Sequence, residues 1–431
     1  MFPKPFTYTY DELVSIGFAA KVGLLSFIQE SQYDGIPLGY NFLNYILINM
    51  FGYLAPQIFS ILVSIVFVFK YTTYFLKNTS KEIAIFALVL LACSNTFALH
   101  LGEVRPYTLI LLISLYTLIK TLDKATFQNS RNIKDYSKLI FINVIGMWLH
   151  HIYSIIFFTH FIYLILLYRK DSAITKLLIK IYLIVTALSV GSFYHLIKMP
   201  TFFKQQWEFI PKQSNNIIND LGPIFSNLFS FLGINFYIFI IFSVLTFLFL
   251  KLRRKERGLT TLKSLSLQGF IFLISIYLIS SFSQSLLYPR YNLYLYLIGI
   301  MIVPLLVDSL KLKKIYIYSL TGLVVITSLI GMKKYRLDMY EERVRWNKVI
   351  SEMRSYNSIC IVKMDNTLDQ LTRSLIKLSE VKDTSLVENN SSDCPQENIL
   401  KIWGPRSNSQ AKGKNLLKPN AIVSIELTKK L

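Results

Sequence analysis

The sequence predicts an all-α polytopic membrane protein of about ten transmembrane helices with a small C-terminal extramembrane α/β domain. Three observations predict it. Of 431 residues, 53% are hydrophobic, 15% aromatic and only 16% charged, with a mean hydropathy of +0.44, whereas soluble domains carry about a quarter charged residues. Apolar runs near the length of a bilayer core recur from Leu54 onward. Lys and Arg crowd every second connector between those runs. The net charge of +21 is therefore a topology signal beside anionic head groups, and no nucleic-acid module accompanies it. Three cysteines without a Cys-x-x-Cys pair or Cys/His ligand spacing argue against a thiolate metal site. No heptad, solenoid or low-complexity repeat is present.

The first region, 1–53, has no apolar run long enough for a signal peptide or a span before Asp11. Asp11 and Glu12 open an amphipathic stretch, Leu13 to Phe27, suited to a helix lying along a membrane surface. The two carboxylates also fit an ordinary exposed helix N-terminus. From Tyr33 to Phe51, Pro37 opens about a dozen apolar residues, short for a span, so an interfacial or re-entrant helix is expected. Asp34 before Gly35 reads as a turn residue.

The second region, 54–332, is a ladder of spans at roughly 54–76, 83–100, 106–120, 139–150, 152–168, 177–197, 233–250, 265–283, 291–307 and 315–332. The basic connectors hold Lys77 and Lys81; Lys124, Arg131, Lys134 and Lys138; Arg169, Lys170 and Lys176; Lys251 to Lys263; and Lys311, Lys313 and Lys314. That side is the cytoplasm. The opposite connectors carry Glu103 and Arg105 in HLGEVRPYTL, His150 and His151 in WLHHIYSIIFF, the loop Lys198 to Leu232 with Trp207, and Pro289-Arg290-Tyr291. A transporter places polar groups mid-span along a path. Here they gather on one face, as an enzyme whose substrates meet at the outer leaflet requires. Glu103 and Arg105 also fit a hydrated turn with a local ion pair. Trp207 fits sugar stacking or an interfacial aromatic belt equally. His160 and His195 read as structural.

After Met332 the composition changes. The region 333–431 reads as a charged helix, a short β-branched strand at Ile359 to Val362, a weakly ordered polar segment from Asp383 to Asn398, and an outward α/β domain. Cys360 and Cys394 both fall outward on this topology, where an oxidising compartment permits a disulfide.

Glu103-x-Arg105-Pro106-Tyr107 between two spans resembles the second outer loop of the GT-C glycosyltransferases, the protein mannosyltransferase and aminoarabinose transferase group of glycosyltransferase family 39. Asp11-Glu12 is similar to the acidic pair of their first outer loop, although those families carry a membrane helix just before it and this sequence shows none. Pro37-Leu38-x-Tyr40 resembles their Pro-Pro-Leu-Tyr-Tyr segment, with Ile36 and Gly39 as departures, and Pro289-Arg290-Tyr291 their late Pro-Arg-Tyr. Trp346 sits where bacterial members open a short Trp-containing helix.

The resemblance, over roughly Asp11 to Lys348, implies inverting sugar transfer from a polyprenyl-phosphate donor to a lipid, glycan or protein acceptor, on the outer side of the cytoplasmic membrane. On that basis Asp11, Glu12 and Glu103 are the catalytic candidates, Asp11 activating the acceptor hydroxyl. Arg105, Arg290 and one of His150 or His151 are candidates for the departing phosphate. Tyr107 and Tyr291 are candidates for hydrogen bonds at the site, and Trp207 for stacking on a sugar or covering the site. A divalent ion, Mg2+ or Mn2+, would engage Asp11, Glu103 and His151. The alternatives are a polysaccharide polymerase or ligase, expected to concentrate arginines in large outer loops, and a transporter or flippase, expected to hold a mid-span charge.

Overall fold

Small polar caps and glycines, rather than the extent of apolar sequence, decide where the helices of this chain stop. The computed structural model describes residues 10–20, 23–31, 38–123, 127, 132–192, 257–282, 293–363, 369–379, 381, 383–388, 398–403 and 424–429. They divide into two units, one of 32–40 and 59–333, the other of 1–31, 41–58 and 334–431.

The first unit is a helical bundle. Its described helices are the greater part of Ala55–Asn78, then Lys81–Ala92, Asn95–His100, Tyr107–Leu122, Ser137–Leu149, Ile152–Tyr168, Ser172–Leu188, Arg257–Phe282, Leu293–Ser309 and the first half of Lys314–Arg354. Helix Leu293–Ser309 packs against Lys81–Ala92, Tyr107–Leu122 and Arg257–Phe282, and Ile152–Tyr168 joins Tyr107–Leu122 to Arg257–Phe282. Phe67, Tyr71 and Phe75 form one buried stripe of Ala55–Asn78, and the Tyr71 hydroxyl donates to the Ile300 carbonyl at 2.7 Å. The opposite face of that helix leaves Leu62, Ile65, Val66 and Phe69 exposed. His160 is buried with its Nε2 2.7 Å from the Tyr294 hydroxyl, which donates to Gln268 Oε1 at 2.9 Å. This is the structural role expected of it.

Several spans differ from the sequence reading. The run 83–100 is cut in two, because Cys93 closes the first helix and the Ser94 hydroxyl caps the second by accepting the Phe97 N–H at 3.2 Å. The last span runs on without a break to Arg354, since nothing between Met332 and Trp346 interrupts helical propensity. The expected span 233–250 lies outside the described residues. Among the described residues one helix, Ala55–Asn78, is long and apolar enough to cross a membrane. Tyr107–Leu122, Ile152–Tyr168, Thr260–Ile276, Leu293–Ser309 and Lys314–Ile326 are apolar and shorter. The described helices therefore do not by themselves reproduce a count of ten.

At the basic end, Lys314 Nζ lies 2.5 Å from Glu82 Oε1. The hydrogen bond from Lys314 holds the Glu82 carboxyl down at about 2. A depressed carboxylate stabilises the fold above its ordinary value of 4.5, and that contribution is lost as pH falls from there through about 2. The melting difference between wild type and Glu82→Gln is therefore expected to be present at neutral pH and to close on acidification across that window. A difference that stays constant down to the acid limit would remove the pair as its source. Lys314 is largely exposed, so the difference is small and shrinks with salt.

The second unit holds helices Tyr10–Ala19, Leu24–Ser31 and most of Leu38–Phe51, the end of Lys314–Arg354, and a four-stranded sheet. The strands are β1 (Ser358–Lys363), β2 (Asp383–Glu388), β3 (Asn398–Trp403) and β4 (Ser424–Lys429), in the order β2-β1-β3-β4. β1 is parallel to β2 and β3, and β4 is antiparallel to β3. Asp383 to Glu388 is thus a paired strand rather than part of a weakly ordered segment, in register with Ser358 to Lys363. Cys360 is disulfide-bonded; Cys394, its expected partner, lies outside the described residues.

The amphipathic stretch Leu13 to Phe27 is also not one surface helix. It breaks at Gly23, whose φ of +93° L side chains rarely adopt. Helix Tyr10–Ala19 is buried rather than laid on a surface, packing against helix Asp369–Ser379. There the Ser374 hydroxyl donates to the Leu13 carbonyl, and Arg373 Nη1 to the Gly17 carbonyl at 3.0 Å.

Candidate active site

The loop 101–106 is built to bury charge. Helix Asn95–His100 ends where Gly102, at φ +76°, turns the chain, and Glu103 N–H donates back to the His100 carbonyl at 3.3 Å. Pro106, fixed near φ −70°, then starts helix Tyr107–Leu122, and its carbonyl accepts the Ile110 N–H at 2.8 Å. Between these two stops stand Glu103, 8% exposed, and Arg105, 9% exposed. A hydrated turn would leave both in water. Ionised groups this far from solvent are retained only with compensating partners.

One partner is a residue to which the sequence reading gave no role. His100 Nδ1 lies 2.5 Å from Glu103 Oε2, and the imidazole is 7% exposed. The available signal was the spacing His-x-x-Glu at a helix end. The His100 ring also meets the Tyr107 ring at 4.7 Å between centroids, and Tyr107 meets His150 at 5.7 Å. Glu103, Tyr107 and His150 are thus drawn into one cluster with His100, and Arg105 is buried in the same loop.

His150 and His151 form the turn between helices Ser137–Leu149 and Ile152–Tyr168. His150 is extended, at φ −162°, and buried, while His151 is half-buried. His150 Nδ1 accepts the Ile152 N–H at 3.1 Å, which in the neutral ring leaves the hydrogen on Nε2. Of the adjacent histidines, His150 is part of the aromatic chain with Tyr107.

Glycines allow this turn its close packing. A Cβ at Gly39 would stand 2.5 Å from the Trp148 carbonyl oxygen, and one at Gly191 would stand 2.6 Å from Trp148 Cη2. One at Gly146 would overlap the ring of Tyr153, whose hydroxyl is tied to Asn143 Oδ1 at 2.9 Å. Trp148 Nε1 donates to the Leu188 carbonyl at 3.2 Å.

Asp11 and Glu12 lie on helix Tyr10–Ala19 of the other unit, where Glu12 is fully buried. Asp34, Trp207, His195, Arg290 and Tyr291 lie outside the described residues, as does the loop Lys198 to Leu232. Of the residues expected to hold a divalent ion, Asp11 lies in one unit and Glu103 and His151 in the other, and Glu103 is engaged by His100.

No family model and no curated protein matches the chain. Solved structures do. The fold is similar to that of ArnT. The crystal structure of ArnT from Cupriavidus metallidurans in the apo state aligns over 98% of this chain and 94% of that one, with a TM-score of 0.53 at 10% identity. The same protein bound to undecaprenyl phosphate aligns over 98% and 95%, with a TM-score of 0.54 at 9% identity.

Proposed function

We propose that the chain is a membrane glycosyltransferase that transfers a sugar, with inversion, from a polyprenyl-phosphate donor to a lipid, glycan or protein acceptor on the outer face of the cytoplasmic membrane. The observation that carries this reading is the buried Glu103–His100 pair beside the buried Arg105, in a fold shared with a protein solved with undecaprenyl phosphate. Buried charges beside an apolar region are costly, and where a chain retains them they are by default candidates for a functional site.

The chemistry asks for three things. An alcohol is a weak nucleophile, so a base must take its proton as oxygen attacks the anomeric carbon, a role assigned to Asp11 from the motif. The bond from that carbon to phosphate oxygen breaks, and cations must meet the departing phosphate; Arg105, with Arg290 and His150, is assigned there. Apolar helix faces such as that of Ala55–Asn78 suit a polyprenyl chain and the surrounding lipid. About ten spans place the polar connectors outward on the Lys/Arg count.

The test is transfer of radiolabelled sugar from synthetic polyprenyl-phosphate sugars by purified protein, with lipid and glycan products resolved. Asp11→Asn is expected to lower kcat by about a hundredfold to ten-thousandfold with donor binding nearly intact. Absence of transfer from every such donor would overturn the reading, and normal kcat in Asp11→Asn would remove the base.

A further inference from the structure

The geometry points to His100 as a residue that reads one hydroxyl of the ligand through its Nε2 atom, an inference that rests on the glycosyltransferase reading. A carboxylate only accepts hydrogen bonds, so the ring nitrogen 2.5 Å from Glu103 Oε2 is the one that carries hydrogen, and that nitrogen is Nδ1. In the neutral ring this leaves a bare lone pair at Nε2. Among the described residues Nε2 is buried and has no hydrogen-bond partner, although a buried polar nitrogen is nearly always paired.

Rotation cannot relieve it. The Glu103 contact fixes one edge of the ring, and the Tyr107 ring lies against it at 4.7 Å. His160 shows the contrast within the same fold: also buried, it has its Nε2 matched by the Tyr294 hydroxyl at 2.7 Å. The acceptor at His100 is therefore held ready for a donor that the protein does not supply. In sugar transfer the available uncharged donors are hydroxyls, on the sugar being moved or on the molecule receiving it. A site built around one such hydrogen bond discriminates strongly against an analogue lacking that hydroxyl, because its own polar atom is then left buried and unpaired.

The experiment uses purified full-length protein, a synthetic undecaprenyl-phosphate hexose and a series of analogues each lacking one sugar hydroxyl. His100→Asn keeps an amide N–H for Glu103 and removes the Nε2 acceptor; His100→Gln extends an amide oxygen back towards that position. If a sugar hydroxyl is read, one analogue binds wild type about ten- to a hundredfold more weakly than the parent, His100→Asn binds the two alike, and His100→Gln recovers part of the preference. If the hydroxyl belongs to the acceptor, all donor analogues bind alike in every variant. His100→Asn then lowers kcat/KM for transfer to an envelope extract by the same factor.

The inference is overturned if His100→Asn matches wild type in both measurements. It is equally overturned if the variant weakens every analogue by one common factor in step with a lowered melting temperature, which is what a purely structural histidine would give. A wild type that binds no polyprenyl-phosphate sugar at all would instead overturn the donor reading, and this inference with it.

Discussion

Arg105→Ala is expected to reduce kcat/KM for sugar transfer by about a hundredfold to a thousandfold, with the apparent donor KM rising and kcat falling together. The side chain is 9% exposed and stands two residues from the buried Glu103, so truncation removes a desolvated positive charge where a phosphate would gain charge. In such a site electrostatic stabilisation is worth far more than at an exposed position. Arg105→Lys should recover only part, since a point charge replaces a planar fork that holds two phosphate oxygens. Melting measured on the same preparations separates lost folding from lost chemistry. Donor saturation that is unchanged in Arg105→Ala would remove Arg105 from the phosphate role.

Gly39→Ala is expected to destabilise the helical unit by about 1–3 kcal/mol or more, the range of overpacking. The added methyl would stand 2.5 Å from the carbonyl oxygen and 2.9 Å from the carbonyl carbon of Trp148. Backbone atoms cannot rotate away as a side-chain tip can, so helix Leu38–Phe51 or the end of Ser137–Leu149 must move. Gly299→Ala and Gly322→Ala are the controls. Both glycines lie within helices, and an added Cβ meets nothing within 4 Å, so these variants should melt at or slightly above wild type. Equal melting of all three variants would show that the approach of Gly39 to Trp148 is not tight in solution.

These two cases mark what was legible in the sequence. Long apolar stretches bounded by charge were read well: helix Ile152–Tyr168 falls where the residues before Arg169-Lys170-Asp171 put it, with Asp171 capping the next helix through Ala173 and Ile174. Glu103 and Arg105 stood out because charges at an apolar boundary are costly. Gly39 was noticed only as a departure from a motif, since its meaning depends on Trp148, more than a hundred positions away. The break at Cys93-Ser94 falls at the short polar run Ser94-Asn95-Thr96, which the apolar residues on either side masked when 83–100 was taken as one span. β2, Asp-Thr-Ser-Leu-Val-Glu, has too little apolar alternation to announce a strand and owes its form to pairing with β1. His100 looked like the tail of a span until its distance to Glu103 was known.

The hydrogen bond from Tyr71 to Ile300 has a consequence for how the molecule is made. The two residues are 229 positions apart, and chains grow at about 5–20 residues per second, so the phenol waits roughly ten to forty-five seconds for its acceptor to emerge. On the proposed membrane reading, Ala55–Asn78, the one described helix able to cross a membrane on length and composition, would spend that interval without the acceptor its phenol meets in the folded protein. The nascent protein is then open to wrong helix pairings, and surveillance by insertion chaperones and proteases has its longest opportunity to act on it.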